Sequence, residues 1–171
     1  FNLAGVPAPR CTFADVIVNG EHLGLFVSID SLKKPFMKRN FGDDSGTIYE
    51  GTLSDFREGW TGSFEQKTNE SEGPGPHINA VKEALELPDE ELMDGLDAVI
   101  DLDQFMTFWA LEVLVGHWDG YAGNTNNFYL YAHPDDQRLK FLPWGADATF
   151  APAFDLQDEN NEMPHSVLAQ G

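Results

Sequence analysis

The sequence predicts an α+β domain in which a β-hairpin comes first, a run of helices follows, and a second hairpin closes the chain behind a polar loop. Three observations carry that prediction. Thr12 to Val18 and Leu23 to Ile29 are rich in Val, Ile and Phe and alternate in part, and Asn19-Gly20 between them accepts the positive φ of a tight turn. From Pro76 to Val115 the apolar residues recur at helical spacing. Phe128 to Tyr131 and Leu139 to Leu142 read as two short apolar strands around the turn His133-Pro134-Asp135-Asp136.

Taken in order, the first hairpin carries the lone cysteine, Cys11, which allows no internal disulfide and is expected to pack as a small core residue. Glu21-His22 lengthens the turn slightly. Lys33 to Phe41 reads as a short helix with Pro35 in its first turn. Its Lys33, Lys34, Lys38 and Arg39 form a basic island that suits either a solvated face or a phosphate-facing one. Residues Gly42 to Gly75 are rich in Gly, Ser, Thr, Asp and Glu, so a loop-dominated excursion with short strands is expected. Its apolar footholds are Ile48-Tyr49 and Trp60 to Phe64, and its tip, Glu70 to Pro76, reads as a mobile connector. The G-x-G-like fragments there do not follow a strand and open a helix, so no phosphate loop is read from them.

Ile78, Val81, Ala84 and Leu85 fall on one face of a first long helix, which Leu87 closes before Pro88. Pro88-Asp89-Glu90-Glu91 is a helix start, with proline in the first turn and acids at the positive end of the dipole; Leu92, Leu96, Val99 and Ile100 continue its face. Asp101 or Asp103 caps the third helix. There Phe105, Met106, Phe108, Trp109, Leu111, Val113, Leu114 and Val115 cover most of the circumference, so a buried core helix ending at Gly116 is expected. The polar, acidic residues after Phe150 read as a surface segment.

The length, 171 residues and 19.0 kDa, suits one domain with a substantial core. A hydrophobic content of 42% with 12% aromatics excludes a disordered chain. The net charge of −19 with only ten Lys and Arg excludes binding to DNA, RNA or anionic lipid through phosphate neutralisation. No apolar stretch reaches the length of a membrane span, so no membrane insertion is expected. The chain begins at Phe1, and its opening FNLAGVPAP lacks the basic start and apolar centre of a signal peptide. An excised piece of a longer protein is the expectation.

Chemistry concentrates between the core helix and the strand at Phe128. The loop there packs Asp119, Asn124, Asn126 and Asn127 together, and the following hairpin leads to Asp147. Carboxylate and amide oxygens without Cys/His zinc spacing suit a hard cation such as Mg²⁺, which takes one or two carboxylates and leaves room for water and phosphate oxygens. Phosphoryl transfer needs that set: a carboxylate to receive the hydroxyl proton, and an Asp and an Asn to hold metal on the phosphates. Asp119, Asn127 or Asn124, and Asp147 supply it. The competing reading makes these residues ordinary loop formers, whose side chains bond nearby backbone. A metal-dependent hydrolase using the same carboxylates on water is a further alternative.

The run HWDGYAGNTNNFYLY, followed by FLPWGADATF, resembles the signature of the CotH kinase-like family, named for spore coat protein H. VNGEHLGLFVSIDSLKKPFMKRNFG and then GTIYEG resemble the same family's upstream pattern. The resemblance implies a single CotH-like kinase domain over residues 1–171. Its fold would be that of an atypical protein kinase, with the first hairpin as part of a small lobe and a mainly helical large lobe carrying the catalytic-loop hairpin. It implies ATP with Mg²⁺ or Mn²⁺, transfer to Ser or Thr hydroxyls of a protein substrate, and a secreted or cell-surface location. Asp119 would be the catalytic-loop Asp inside His117-Trp118-Asp119, with His117 supporting the loop, and Asp147 the metal-binding Asp.

For the asparagine, Asn124 has the separation found in ordinary kinases. Asn127 precedes the strand and is preferred as the metal ligand, which leaves Asn124 with a cofactor-binding role. Asp30, where relatives usually carry Glu, would lie near the docked nucleotide base. Two positions depart from the family pattern: Gly145 stands where W-D-x-D would place an acid, and Glu50 where relatives often carry Lys. The phosphate-binding lysine has only a distant candidate in Lys67. These departures favour a second function class, a surface-exposed binding or adhesion module without turnover.

Overall fold

The computed structural model describes residues 1–150, so the segment expected to be a polar surface tail lies outside the described residues. The chain is α+β, as the patterning predicts, but its centre is a sheet. Two antiparallel sheets are present among the described residues: a two-stranded hairpin, β1 (Cys11–Val18) and β2 (Glu21–Ile29), and a four-stranded sheet. The latter has the order β4-β3-β5-β6, with β3 Thr47–Gly51, β4 Glu65–Gln66, β5 Phe128–Ala132 and β6 Leu139–Pro143. The helices are α1 (Lys34–Phe41), α2 (Pro76–Leu85), α3 (Asp89–Val99), α4 (Leu102–Leu114) and the single turn α5 (Tyr121–Asn124).

Strand pleating sorts the four-stranded sheet into two faces. Tyr49, Leu130 and Phe141 share one cross-strand row and pack into the larger core with Ile78 and Val81 of α2, Leu96 of α3, and Phe105 and Phe108 of α4. Ile48, Tyr131 and Leu142 face the other way and pack against Leu32 and against Phe36 and Met37 of α1. The sheet is therefore sandwiched, with α1 on one side and α2 to α4 on the other. Both faces are dry, which explains why β5 and β6 read as continuous apolar runs instead of alternating ones.

Several expectations are met in place. Pro35 and Pro76 sit in the first turns of α1 and α2, and Pro88 is the N-cap of α3. Asp101 caps α4 and accepts the Gln104 amide at 3.3 Å, a contact worth about 1 kcal/mol.

Other expectations are corrected. The excursion after Gly42 is loop-dominated with two short strands, as its composition suggests, but it is anchored more deeply in the core than a surface loop. Its Ile48-Tyr49 segment forms β3, the inner strand between β4 and β5, and Ser54, Asp55 and Phe56 beyond it are buried. Tyr121 of α5 ties this excursion down by donating to the Asp55 carboxylate at 3.2 Å. The larger unit is accordingly a four-stranded sheet flanked by helices, with more helical than strand residues among those described.

α4 is not buried all round. Phe105, Phe108 and Glu112 form its buried stripe, whereas Met106, Val113 and Leu114 are exposed. Periodicity cannot separate a core helix from one whose apolar residues also cover its outer side.

The first hairpin is exposed on both faces. Phe13, Leu25 and Val27 point to one side and Phe26 to the other, all more than half exposed. Cys11 is likewise exposed and does not fill a core position. No helix among the described residues is long and apolar enough to cross a membrane.

Candidate functional site

The end of α4 and the start of β5 are both fixed by the core, so the thirteen residues between them must turn tightly, and they do so by bonding to one carboxylate. Asp119 Oδ1 accepts from Asn124 Nδ2 at 2.8 Å and from Asn126 Nδ2 at 3.1 Å. Asn127 Nδ2 donates at 2.7 Å to Asp119 Oδ2 and at 3.0 Å to the Asp119 carbonyl. Three asparagines therefore converge on Asp119. Asn126 also accepts the Leu53 amide at 3.2 Å through its Oδ1, pinning the turn after β3 to the same cluster.

That arrangement orients Asn127. With its amide nitrogen on Asp119, its Oδ1 must face the opposite way, toward the turn at Gly145. A Cβ on Gly145 would lie 2.9 Å from Asn127 Cγ and 3.1 Å from Asn127 Oδ1. Gly145 has φ +57°, in the left-handed region, so glycine meets both a backbone and a space requirement there. The backbone seals the junction: Trp144 N–H donates to the Asn127 carbonyl at 3.0 Å, and Phe150 N–H to the Val115 carbonyl at 2.9 Å. Asp147 lies in the short 3₁₀ turn Ala146–Ala148 that follows and is exposed.

A cavity of about 570 Å³ opens at this turn. Pro143, Trp144, Gly145, Ala146 and Asp147 line one side, and Cys11, Val27 and Ile29 of the hairpin line the other, with Phe1 and Pro9 closing an edge. Its walls are largely apolar, with Asn2 and Asp147 as the polar side chains among the lining residues. Asp119 is not among the lining residues; Asn127 stands between it and the Gly145 turn.

On the other side of Trp144, a second cavity of about 530 Å³ is lined by Lys33, Lys34, Lys67, Thr68 and Tyr129. Lys67 is exposed and pairs with two carboxylates. Its ammonium lies 2.8 Å from both Glu50 Oε2 and Glu65 Oε1. Although its own partial burial works against the charged form, Glu50 is held below the usual carboxylate range by Lys67 and by the Tyr129 hydroxyl.

His117 is buried. Its Nδ1 is 3.1 Å from Glu112 Oε1 and its Nε2 3.2 Å from the Gly145 carbonyl. Burial opposes a charge on the ring, but the hydrogen bond and charge of Glu112 outweigh it and the ring is held above the ordinary imidazole range. Glu112 is itself pushed up by burial. Sequence reasoning does not reach Glu112 as a site residue. Glu112 sits on the helical core stripe seven residues after Phe105, and a charged residue at that register was the available signal.

Asp30 stands apart from the Asp119 cluster. It leaves β2 next to Ile29 of the cavity wall, and its Oδ2 accepts from Arg39 Nη2 at 2.7 Å and from the Arg10 amide at 3.2 Å. Among the described residues no group of three or more His, Cys, Asp or Glu is placed to hold a metal ion. A cation here would depend on Asp147, an asparagine oxygen, and oxygens from outside the chain.

With this geometry in hand, comparison with known proteins is decisive on kinship. The profile of the family described as CotH kinase protein matches residues 1–169. The chain belongs to that family.

Inner spore coat protein H of Bacillus subtilis (strain 168) is 22% identical to it over 88% of this chain and 44% of its own length. Invasin CotH2 of Rhizopus delemar is 24% identical over 98% of this chain and 33% of its own length. Spore coat protein homolog 1 of the same fungus is 26% identical over 85% of this chain and 26% of its own length. The chain thus spans less than half the length of these curated relatives. At the two positions noted above, Gly145 packs against Asn127 and Glu50 is paired with Lys67.

Proposed function

We propose that this chain carries the phosphotransfer site of a CotH-type protein kinase, using ATP with Mg²⁺ or Mn²⁺ to phosphorylate Ser or Thr hydroxyls of a protein substrate. The observation that carries the reading is the position of Asn127: its nitrogen holds Asp119 while its oxygen faces the turn bearing Asp147. One side chain thereby couples a proton-accepting carboxylate to a metal-binding one, and hard oxygen donors of this kind fit Mg²⁺ when phosphate and water complete the coordination. ATP and its metal would supply the transferable phosphoryl group and neutralise charge developing on it.

Each residue then has a part. Asp147 and Asn127 Oδ1 would hold the cation. Asp119 takes the proton of the incoming hydroxyl on Oδ2, which has one side-chain donor where Oδ1 has two and so keeps acceptor capacity. Asn124, given a cofactor-binding role above, has its nitrogen on Asp119, and its oxygen is the part left for a ligand. His117 supports the loop geometry. The apolar walls formed by Val27, Ile29 and Trp144 suit a nucleotide base, and Asp30, at the exit of β2, would border it.

Labelled γ-phosphate transfer to a protein acceptor tests this: Asp119→Asn and Asp147→Ala should each abolish it with the fold intact. Full transfer by both variants would remove the proposal.

A second reading, a surface-exposed binding or adhesion module on the same scaffold, is favoured by the exposed apolar hairpin and by the absence of an acid at Gly145. The kinship with proteins named invasin and spore coat protein suits a coat or cell-surface location for either reading. Thermal stabilisation by ATP that requires Mg²⁺ or Mn²⁺ separates the two, since a purely adhesive module lacks it.

A further inference from the structure

We propose that Glu112 is a positioning residue of this site, acting through His117 to fix the turn that carries Asp147 against the loop that carries Asp119. Its consequence for catalysis rests on the phosphotransferase reading; the linkage itself does not.

Glu112 occupies the core stripe of α4 and is 1% exposed. A carboxyl group in such a place is strongly destabilising unless its oxygens are bonded. Both are. Oε2 accepts the Ala122 amide at 2.8 Å, and Oε1 meets His117 Nδ1 at 3.1 Å.

The far side of the ring fixes where its protons lie. Nε2 faces the Gly145 carbonyl, which can only accept, so Nε2 carries a hydrogen. One further proton then lies between Nδ1 and Oε1, whichever of the two atoms owns it. A chain of contacts results, from the α5 backbone through Glu112 and His117 to the Gly145 carbonyl, two residues before Asp147.

Without a partner at Nδ1 the ring keeps only its bond to the Gly145 carbonyl, so it can pivot away and that Nε2 proton exchanges with solvent. Orienting an imidazole through its second nitrogen is a usual task of a carboxylate behind the ring. Space around the contact is tight as well. A Cβ on Gly120 would come within 2.5 Å of both Glu112 Oε1 and His117 Nδ1, so the chain passes over this pair only as glycine.

Two variants of the full chain test the assignment. Glu112→Gln keeps the geometry, because its amide can donate to a bare Nδ1 and its carbonyl can accept the Ala122 amide. Glu112→Leu has similar volume, suits the apolar stripe and leaves Nδ1 without a partner. Ring ¹⁵N and ¹H spectra of His117 should show a slowly exchanging Nε2 proton in the native chain and in Glu112→Gln, and its loss in Glu112→Leu.

Binding of Mn²⁺·ATP should weaken by about tenfold or more in Glu112→Leu and stay within about threefold in Glu112→Gln, the scale found for outer-shell partners of a metal site. A protected Nε2 proton in Glu112→Leu would overturn the linkage. Its loss with unchanged Mn²⁺·ATP affinity would overturn the positioning role. Should the native chain not bind Mn²⁺·ATP, the phosphotransferase reading falls, and the ring spectra alone still decide whether Glu112 sets His117.

Discussion

Replacing Gly145 by alanine perturbs one backbone angle and one contact, and both effects can be sized. At φ +57° an L-residue costs about 1–2 kcal/mol relative to glycine. The new methyl would lie 2.9 Å from Asn127 Cγ, so Asn127 must retreat. Its hydrogen bond to the Asp119 carboxylate, 2.7 Å long, is then stretched, and such bonds to charged groups contribute about 1.5–3 kcal/mol. Partial loss of that bond brings the total to about 2–4 kcal/mol. For a domain of this size each kcal/mol moves the melting temperature by about 2–4 °C, so a fall of roughly 5–15 °C is expected by calorimetry. Gly145→Asp, which restores the acid of the CotH pattern, meets the same contact and should also fall, despite the greater tolerance of Asp for left-handed geometry. A melting temperature within about 2 °C of the native value for Gly145→Ala would refute the packing of Asn127 on this turn, and with it the orientation of the Asn127 oxygen.

Other outcomes follow from the same coordinates. The Glu112–His117 pair binds a proton more tightly folded than unfolded, because both groups are raised above their unfolded values of 4.5 and 6.5. Its stabilising contribution is therefore complete below the unfolded values and is lost as pH rises through the folded ones. Urea titrations at a series of pH values should show the native chain losing more stability than Glu112→Gln above pH 6.5; parallel curves would contradict this. Lys67→Ala breaks two ion pairs that are partly open to water, so a loss of only about 0.2–1 kcal/mol is expected, shrinking in high salt. A salt-independent loss of several kcal/mol would show that Glu50 is more deeply desolvated than its position implies. Asn126→Ala cuts the link from Asp119 to Leu53 and should raise protease sensitivity at the turn after β3; an unchanged digestion pattern would show that the link does not hold that turn.

Local patterning carries most of the elements here, and tertiary context decides the rest. The hairpin at Asn19-Gly20, the helix starts at Pro76 and Pro88 and the Asp101 cap are legible because each depends on a few neighbouring residues. The place of β3 is not, since a five-residue strand gains its position from β5, which lies about eighty residues later in the sequence.

The same division runs through the site. Asp119, Asn127 and Asp147 stand out as polar residues between apolar elements, and the fold bonds Asn127 to Asp119 and packs it on the Gly145 turn, two residues before Asp147. Glu112 hides inside an apolar helix, where its role appears only once His117 and the Ala122 amide are placed around it. The exposed hairpin shows the opposite error: its apolar residues promise a core that the described residues do not complete.

Crystals of the chain soaked with ATP and Mn²⁺ test the shared site most directly, through the anomalous signal of the metal. The expected result is an ion at about 2.1–2.3 Å from both an Asp147 carboxylate oxygen and Asn127 Oδ1, with the base beneath Val27 and Ile29. An ion bound away from both residues, or no ion and no nucleotide at saturating concentrations, would contradict it.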